Sequence, residues 1–147
     1  MRLIIAAPAN GTTLKNALKA HLQNDPRVDS LTDLSSQDGT YPQLSFAAAQ
    51  EVAARRADRA ILICGTGVGT AIAANKVRGI RAATAHDLIT LRGSVENYDA
   101  QILCMGQNVI AAPAAWALVD IWLNLRHNMD SGYAPKVGEI EAYECGK

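Results

Sequence analysis

The residues best suited to chemistry are the run Cys64-Gly65-Thr66-Gly67-Val68-Gly69, which follows directly on the apolar residues Ala60-Ile61-Leu62-Ile63. The apolar run predicts a buried strand, and the glycines predict a tight turn after it. Because glycine lacks a Cβ atom, backbone N–H groups at such a turn can approach an anion closely. These amides and the N-terminus of a following helix would lower the pKa of a cysteine. The segment therefore predicts a reactive thiol beside an anion-binding turn.

The segments around this turn alternate between predicted strands and helices. The predicted strands cover residues 3–7, 28–34, 60–64, 79–84 and 101–105. The predicted helices cover residues 14–22, 44–56, 86–96 and 112–125, with a short helix that follows the glycine turn and runs through Asn75 and a short helical stretch in the tail. This alternation predicts an α/β fold: a Rossmann-like three-layer sandwich with a parallel five-stranded sheet, helices on both faces and a C-terminal helical tail. Ligands bind such folds beyond the carboxyl ends of the strands, where Cys64 would lie.

Composition limits the class of protein. The chain has 147 residues, 14 of them basic and 14 acidic, so its formal net charge is zero. We expect one domain over residues 1–147 and no nucleic-acid partner, because no basic stripe is present. No apolar run reaches ~18 residues, so we expect no membrane span. The three cysteines argue against a disulfide framework. Together with the lack of a signal-peptide cleavage site, they predict a cytoplasmic protein with free thiols.

The glycine turn matches neither of the common nucleotide-binding motifs. No Lys-Ser or Lys-Thr pair follows Gly69, as a phosphate-binding P-loop requires, and Thr70 stands where a dinucleotide fingerprint needs glycine. We therefore expect no binding of a nicotinamide dinucleotide.

The wider sequence carries a more specific resemblance. Its motifs are Cys64-Gly65-Thr66-Gly67-Val68-Gly69, the block 73–82, Tyr41-Pro42, Ala85-His86-Asp87, the block 97–103, Met105-Gly106 and the block 119–123. With these residues the chain resembles the ribose-5-phosphate isomerase B and galactose-6-phosphate isomerase family. The resemblance covers nearly the whole chain and is most specific at residues 61–82.

The resemblance implies a chemical mechanism. Members of that family interconvert aldose and ketose phosphates through a cis-enediol, and the position of Cys64 is the base in the cysteine-containing branch. Thr66 and the backbone N–H groups of residues 65–69 would stabilise the enediolate oxygen, as donors aimed at a developing oxyanion do. The resemblance implies no metal and no organic cofactor. It also implies a homodimer, sometimes paired into a tetramer, with the active site between subunits.

Further residues are candidates for substrate binding. They are Asn10, Tyr41, Gly65, Gly67, Val68, Gly69, Asn75, His86, Asn97, Asp99 and Lys136. For several of them a structural role is an alternative: Asn75 as a helix cap, Tyr41 as a loop anchor and His86 as part of a helix start. Outside the site, we expect Cys104 in the core and Trp116 and Trp122 in packing at the subunit interface.

The chain departs from the family pattern mainly at residues that hold phosphate or open a sugar ring. These positions carry Pro8, Ala9, Asn97, Asn108, Gly132 and Lys136. Asn97 replaces the histidine thought to open the ring. A tetrose 4-phosphate cannot close a furanose ring because its 4-hydroxyl is blocked, so erythrulose 4-phosphate or erythrose 4-phosphate would need no such histidine. Its phosphate would be held by a different set: Lys136, Arg126, His127 or Arg92.

Two other functions remain open at the level of the sequence. One is the isomerisation of an unphosphorylated sugar. The other is a non-catalytic subunit that binds a sugar phosphate, although the presence of Cys64 and Thr66 argues against it.

Overall fold

A single parallel sheet forms the centre of the protein. The computed structural model describes residues 1–36 and 38–146. The strands are β1 (Arg2–Ala6), β2 (Ser30–Asp33), β3 (Arg59–Cys64), β4 (Ala82–Thr84) and β5 (Ile102–Gly106). Their order across the sheet is β2-β1-β3-β5-β4, and every neighbouring pair is parallel. The predicted parallel five-stranded sheet is confirmed.

Helices cover both faces of the sheet. They are α1 (Thr12–Leu22), α2 (Tyr41–Ala53), α3 (Val68–Ala74), α4 (Leu88–Glu96), α5 (Ala112–Asn124) and α6 (Ala134–Cys145). On one face Ile61 and Ile63 pack with α1, α4 and α5. On the other face Ala60 and Leu62 pack with α2 and α3. Because β3 is covered on both sides, its residues form a continuous apolar run rather than an alternating one.

The structure moves several predicted boundaries. Helix α2 begins at Tyr41 rather than near residue 44, because Thr40 and Gln43 form a capping box and Pro42 fits the first turn. Strand β4 begins at Ala82 rather than at residue 79, since Gly79 adopts a left-handed conformation with a φ of 82°. A turn closed by the hydrogen bond from the Ile80 N–H to the Val77 carbonyl at 3.2 Å therefore precedes the strand. None of the helices in the described ranges combines the length and the hydrophobicity needed to cross a bilayer.

The two tryptophans lie in different environments. Trp122 is 1% exposed and belongs to the core of its own chain, with the Arg59 guanidinium 5.0 Å from its ring centre. The prediction that it packs at a subunit interface is therefore wrong, because β-sheet and helix residues already enclose it. Trp116 is half-buried and stacks on His21, with ring centres 4.3 Å apart. Cys104 is fully buried, as predicted.

Candidate active site

The site forms where three neighbouring strands end. Cys64 is the last residue of β3, and it lies in register with Gly106, the last residue of β5. Strand β1 ends beside β3 and leads to a short 3-10 helix that contains Asn10. The chain runs from β1 outward to β2 and then returns to β3, so the ends of β1 and β3 form a topological switch point. Folds of this kind bind ligands at this crevice.

Cys64 lies among hydrogen-bonding groups of the turn and of α3. The backbone N–H of Gly67 donates to the Cys64 Sγ atom at 3.2 Å, and the Thr70 hydroxyl lies 3.7 Å from the same sulfur. Burial raises the pKa of the Cys64 thiol, but hydrogen bonds from the backbone N–H groups of Thr66 and Gly67 and from Thr70 outweigh it. The net effect places the pKa of Cys64 below its ordinary value. The thiol therefore ionises more readily than an ordinary cysteine, as a base or a nucleophile requires.

Two glycines allow the turn to lie against the end of β5. Gly67 has a φ of 80°, a conformation that favours glycine, and a Cβ atom there would lie 2.9 Å from the Met105 backbone. A Cβ atom on Gly106 would lie 2.5 Å from the Thr66 Cα atom. The turn is also tied to the residues after β5, because the N–H of Gln107 donates to the Cys64 carbonyl at 2.8 Å. This close approach fixes the amides around the sulfur.

Three side chains surround the outer part of the turn. The side-chain nitrogens of Asn10 and Asn108 flank Gly65, 3.4 Å and 3.3 Å from the point where a Cβ atom would stand. The Tyr41 ring lies against Gly69, since a Cβ atom there would be 2.8 Å from the Tyr41 Cε2 atom. Thr66 is exposed, and its hydroxyl oxygen accepts a hydrogen bond from the Val68 N–H at 3.4 Å. The Thr66 hydroxyl proton is therefore available to a ligand.

His86 supports the site from beside β5. Its Nε2 atom accepts a hydrogen bond from the backbone N–H of Gly106 at 2.8 Å, so the proton of the neutral ring lies on Nδ1. Burial lowers the pKa of His86 from its ordinary value, and the nearby Asp87 opposes this only in part. The imidazole is thus neutral at pH 7. Because Nε2 is already bonded, His86 acts here as a brace for the end of β5.

Asn75, a candidate for substrate binding, has its carboxamide fully engaged with backbone groups. Its Nδ2 atom donates to the carbonyls of Ala71 and Ala82 at 2.9 Å and 2.8 Å, and its Oδ1 atom accepts from the Ala82 N–H at 2.8 Å. The side chain therefore joins the end of α3 to the start of β4.

Three candidate residues lie away from Cys64 within the described chain. Asn97 and Asp99 precede β5 and so lie at the amino end of the sheet, opposite the carboxyl end that carries Cys64. Asp99 there forms an ion pair with Arg81 at 2.8 Å. Lys136 lies in α6, 4.9 Å from the centre of the Tyr133 ring. The fold of one chain does not bring these residues to the glycine turn.

The alternative phosphate ligands lie in the same distant region. Arg92 pairs with Glu96 at 2.7 Å, and the His127 Nδ1 atom lies 3.0 Å from the Glu96 carbonyl oxygen. Arg126 donates to the carbonyls of Leu123 and Leu125 at 3.0 Å and 2.7 Å. Each of these side chains thus has a partner within its own chain.

Sequence reasoning missed the polar residues that complete the site. They are Thr70 and Thr84, whereas Asn108, which the resemblance assigns to a phosphate-binding position, lies beside Gly65. Thr84 ends β4, and the convergence of strand ends was the signal that could have identified it. In the described ranges no group of three His, Cys, Asp or Glu side chains could hold a metal ion.

The fold and the site define an α/β protein with a thiol of lowered pKa at a switch point of its sheet, surrounded by backbone N–H groups. Comparison with known proteins is consistent with this class. Residues 3–140 match the model of the Ribose/Galactose Isomerase family. The chain therefore belongs to this family, and it is an isomerase of the ribose-5-phosphate isomerase B type.

Individual relatives span nearly the same length. The chain is 46% identical to D-erythrulose-4-phosphate isomerase 2 of Mycolicibacterium smegmatis over 148 residues, covering 98% of this chain and 97% of that protein. It is 36% identical to ribose-5-phosphate isomerase B of Escherichia coli over 118 residues, covering 80% and 79%. Among solved structures, ribose-5-phosphate isomerase B of Clostridium thermocellum superposes with a TM-score of 0.92 at 34% identity, covering 99% of both chains.

Proposed function

We propose that the protein interconverts the aldose and ketose forms of a four-carbon sugar 4-phosphate through a cis-enediol. The observation that carries this proposal is the Cys64 thiol of lowered pKa among the amides of the glycine turn. The Cys64 thiolate removes the proton from the carbon next to the carbonyl and returns it to the former carbonyl carbon, while a proton passes from the hydroxyl oxygen to the former carbonyl oxygen, so no atom is gained or lost. Thr66 and the N–H groups of the turn donate to the enediolate oxygen, whose negative charge is greatest in the transition state.

Two observations support a tetrose over a longer sugar. Relatives 46% and 33% identical to this chain, each matching over 98% of it, are named D-erythrulose-4-phosphate isomerase 2 and D-erythrulose-4-phosphate isomerase. Asn97 stands where the family carries its ring-opening histidine. A tetrose 4-phosphate has no free 4-hydroxyl and forms no furanose ring, so its isomerase needs no group that opens one.

We further propose that the active unit is a homodimer with the site between subunits. Asn97, Asp99 and Lys136 lie far from the Cys64 of their own chain, and a second copy would supply them to it. The helices beside the site present apolar side chains to solvent in the single chain, which a partner would cover. These are Val68, Ile72, Leu88 and Ile89, between 46% and 85% exposed.

The function is tested by isomerisation assays on a panel of substrates, followed by NMR in D₂O. The panel contains erythrulose, erythrose and threose 4-phosphates, ribose 5-phosphate, allose and galactose 6-phosphates and the free tetroses. We expect the fastest turnover on a tetrose phosphate, with deuterium entering at the carbon that receives the proton. Faster turnover on ribose 5-phosphate would contradict the tetrose assignment. Turnover on free sugars alone would contradict a phosphorylated substrate.

The dimer is tested by analytical ultracentrifugation of the wild type and of Ile89→Asp. Because Ile89 is 85% exposed in the single chain, the substitution is tolerated by the monomer fold but would place a charge in the interface. We expect a dimer for the wild type, and a monomer without activity for the variant. A monomeric and active wild type would contradict the shared site.

A further inference from the structure

One carbonyl under the glycine turn accepts two hydroxyl protons. The hydroxyls of Thr70 and Thr84 both donate to the Gly67 carbonyl oxygen, each at 3.0 Å. The N–H of the same Gly67 donates to the Cys64 sulfur. Gly67 therefore links the two threonines to the reactive thiol, and its orientation decides whether an N–H points at the sulfur.

Thr70 also contacts the sulfur itself. Its oxygen lies 3.7 Å from the Cys64 Sγ atom, and the side chain is only 2% exposed, so water does not compete for this hydroxyl. A hydroxyl has one proton and two acceptor sites. While Thr70 donates to the Gly67 carbonyl, only its lone pairs can face the sulfur. They then accept a hydrogen bond from the protonated Cys64 thiol.

When the Cys64 thiol loses its proton, a hydrogen bond between Cys64 and Thr70 requires Thr70 to be the donor. A thiolate can only accept, so the Thr70 lone pairs would face negative charge unless the hydroxyl rotates. Rotation about the Cβ–Oγ bond redirects the hydroxyl proton without moving the oxygen, and it costs little only if the group that loses the proton keeps another partner. The Gly67 carbonyl does keep one, because Thr84 donates to it from β4.

We infer that Thr70 is a positioning residue for the base, with a hydroxyl that accepts from the Cys64 thiol and turns to donate to the thiolate, while Thr84 keeps the Gly67 carbonyl bonded. The inference rests on Cys64 acting as the base in the proposed function. The two hydroxyls would adjust the hydrogen bonds around Cys64 each time the thiol gains or loses its proton. Neither hydroxyl has to contact a ligand to do so.

The other groups near Cys64 are already bonded or fixed in place, so the Thr70 and Thr84 hydroxyls are the donors that can turn. Cys104 on β5 also forms a hydrogen bond with the Thr70 hydroxyl, but it is fully buried, and burial raises the pKa of its thiol to about 12, so it stays protonated and can itself donate to Thr70. His86, between β4 and α4, is neutral and already bonded to Gly106. Tyr41, at the start of α2, lies against Gly69. The N–H groups of Thr66 and Gly67 are fixed by the backbone.

The experiment measures alkylation of Cys64 by iodoacetamide across pH, in a Cys145→Ser background because Cys145 is exposed. Thr70→Val should move the midpoint of the plot of alkylation rate against pH upward by about one pH unit. It should also slow alkylation at pH 7 about tenfold. Thr70→Ser keeps the hydroxyl and should restore the profile. Thr84→Val should give a smaller upward shift, since the single Thr70 proton must then serve two acceptors. Thr84→Ser is its matched control.

An unchanged midpoint in folded Thr70→Val would overturn the inference. If Thr70→Val does not fold, Thr84→Val decides the matter, and an unchanged midpoint there has the same meaning. Alkylation requires no substrate, so the readout is independent of the proposed function. A shifted midpoint with no turnover on any sugar would contradict the function alone.

Discussion

Cys64 and Cys104 lie on the same face of the sheet, on the neighbouring strands β3 and β5, yet the pKa values of their thiols are shifted in opposite directions. Cys104 is in register with Leu62, the residue two positions before Cys64 on the same face. Hydrogen bonds lower the pKa of Cys64 below its ordinary value despite its burial, whereas burial raises the pKa of Cys104 to about 12. Position at the strand end, rather than residue type, makes one thiol reactive.

This difference predicts opposite outcomes for the two alanine variants. Cys64→Ala removes the base and should lower kcat/KM on the best substrate by about 10²–10⁴-fold. Cys104→Ala leaves a small cavity and should cost about 1 kcal/mol of unfolding free energy, while kcat changes little. The rates and urea unfolding curves of both variants measure this. Equal losses of activity would contradict the assignment of Cys64 as the base.

Gly106, which packs against the turn, and Gly69, the last residue of the turn, should respond very differently to an added methyl group. Gly106→Ala places a Cβ atom 2.5 Å from the Thr66 backbone, which cannot move without displacing the amides around the sulfur. We expect kcat to fall by roughly 100-fold or more. Gly69→Ala meets only the Tyr41 ring, which is 45% exposed and free to swing away. Its effect should be a several-fold rise in KM.

A double variant tests the second half of this comparison. If Gly69→Ala acts by moving the Tyr41 ring, then adding it to Tyr41→Ala should change KM no further. Additive effects would show that the methyl group disturbs the turn directly.

Asn75 should be more important for stability than for binding. Asn75→Asp keeps the acceptor for the Ala82 N–H but loses both donated hydrogen bonds. We expect the free energy of unfolding to fall by roughly 1–3 kcal/mol while KM changes less than about twofold. Thermal unfolding and steady-state kinetics on the same sample distinguish the two roles. A large rise in KM at unchanged stability would indicate a substrate contact instead.

Asp33 should be a major determinant of stability at the end of β2. Lys15 and Lys19 both place their Nζ atoms 2.8 Å from one Asp33 oxygen, and the Lys15 side chain is 8% exposed. Burial opposes ionisation of Asp33, but the two lysines and Ser35 hold its pKa well below the ordinary value. Asp33→Asn would leave the Lys15 charge buried without a partner. It should cost roughly 3 kcal/mol at pH 7.

The same ion pairs predict a pH dependence. Because the folded pKa of Asp33 is depressed, its contribution is present above the ordinary carboxyl pKa and is lost as the pH falls through the folded value. The difference in unfolding free energy between wild type and Asp33→Asn should therefore shrink in acid. Adding Lys15→Met to Asp33→Asn should recover part of the stability at pH 7. No recovery would show that the buried lysine is not the cause.

His86 predicts a second, separate pH effect. Its folded pKa is lowered, chiefly by burial, so below about pH 6.5 the unfolded chain binds more protons than the native one and stability falls. His86→Gln keeps an acceptor for the Gly106 N–H and removes the titration. Between pH 8 and 5 the wild type should lose unfolding free energy relative to this variant. If the unfolding free energies of the wild type and His86→Gln changed with pH in parallel, the assignment of His86 as a neutral, hydrogen-bonded imidazole would be contradicted.

The sequence predicts the architecture well because its signals are local. The apolar runs that become β1, β3 and β5 are continuous, as strands covered on both faces require. The boundaries of α2 and β4 were less accurate, since they depend on the capping box at Thr40 and on the left-handed Gly79. The interface prediction for Trp122 was wrong because α5 is apolar on nearly all sides, and such a pattern does not say which side chains face the sheet and which face a partner.

The sequence by itself determined the reactive centre, because the strand, the thiol and the glycine turn are consecutive from residue 60 to residue 69. Only the tertiary structure decided what surrounds it. Thr84 reaches Gly67 from another strand, and Asn10 and Asn108 flank Gly65 from the two neighbouring strand ends. The fold also placed Asn97 and Asp99 at the opposite end of the sheet from Cys64. The order and direction of the strands set these distances, and no local pattern along the chain encodes that order.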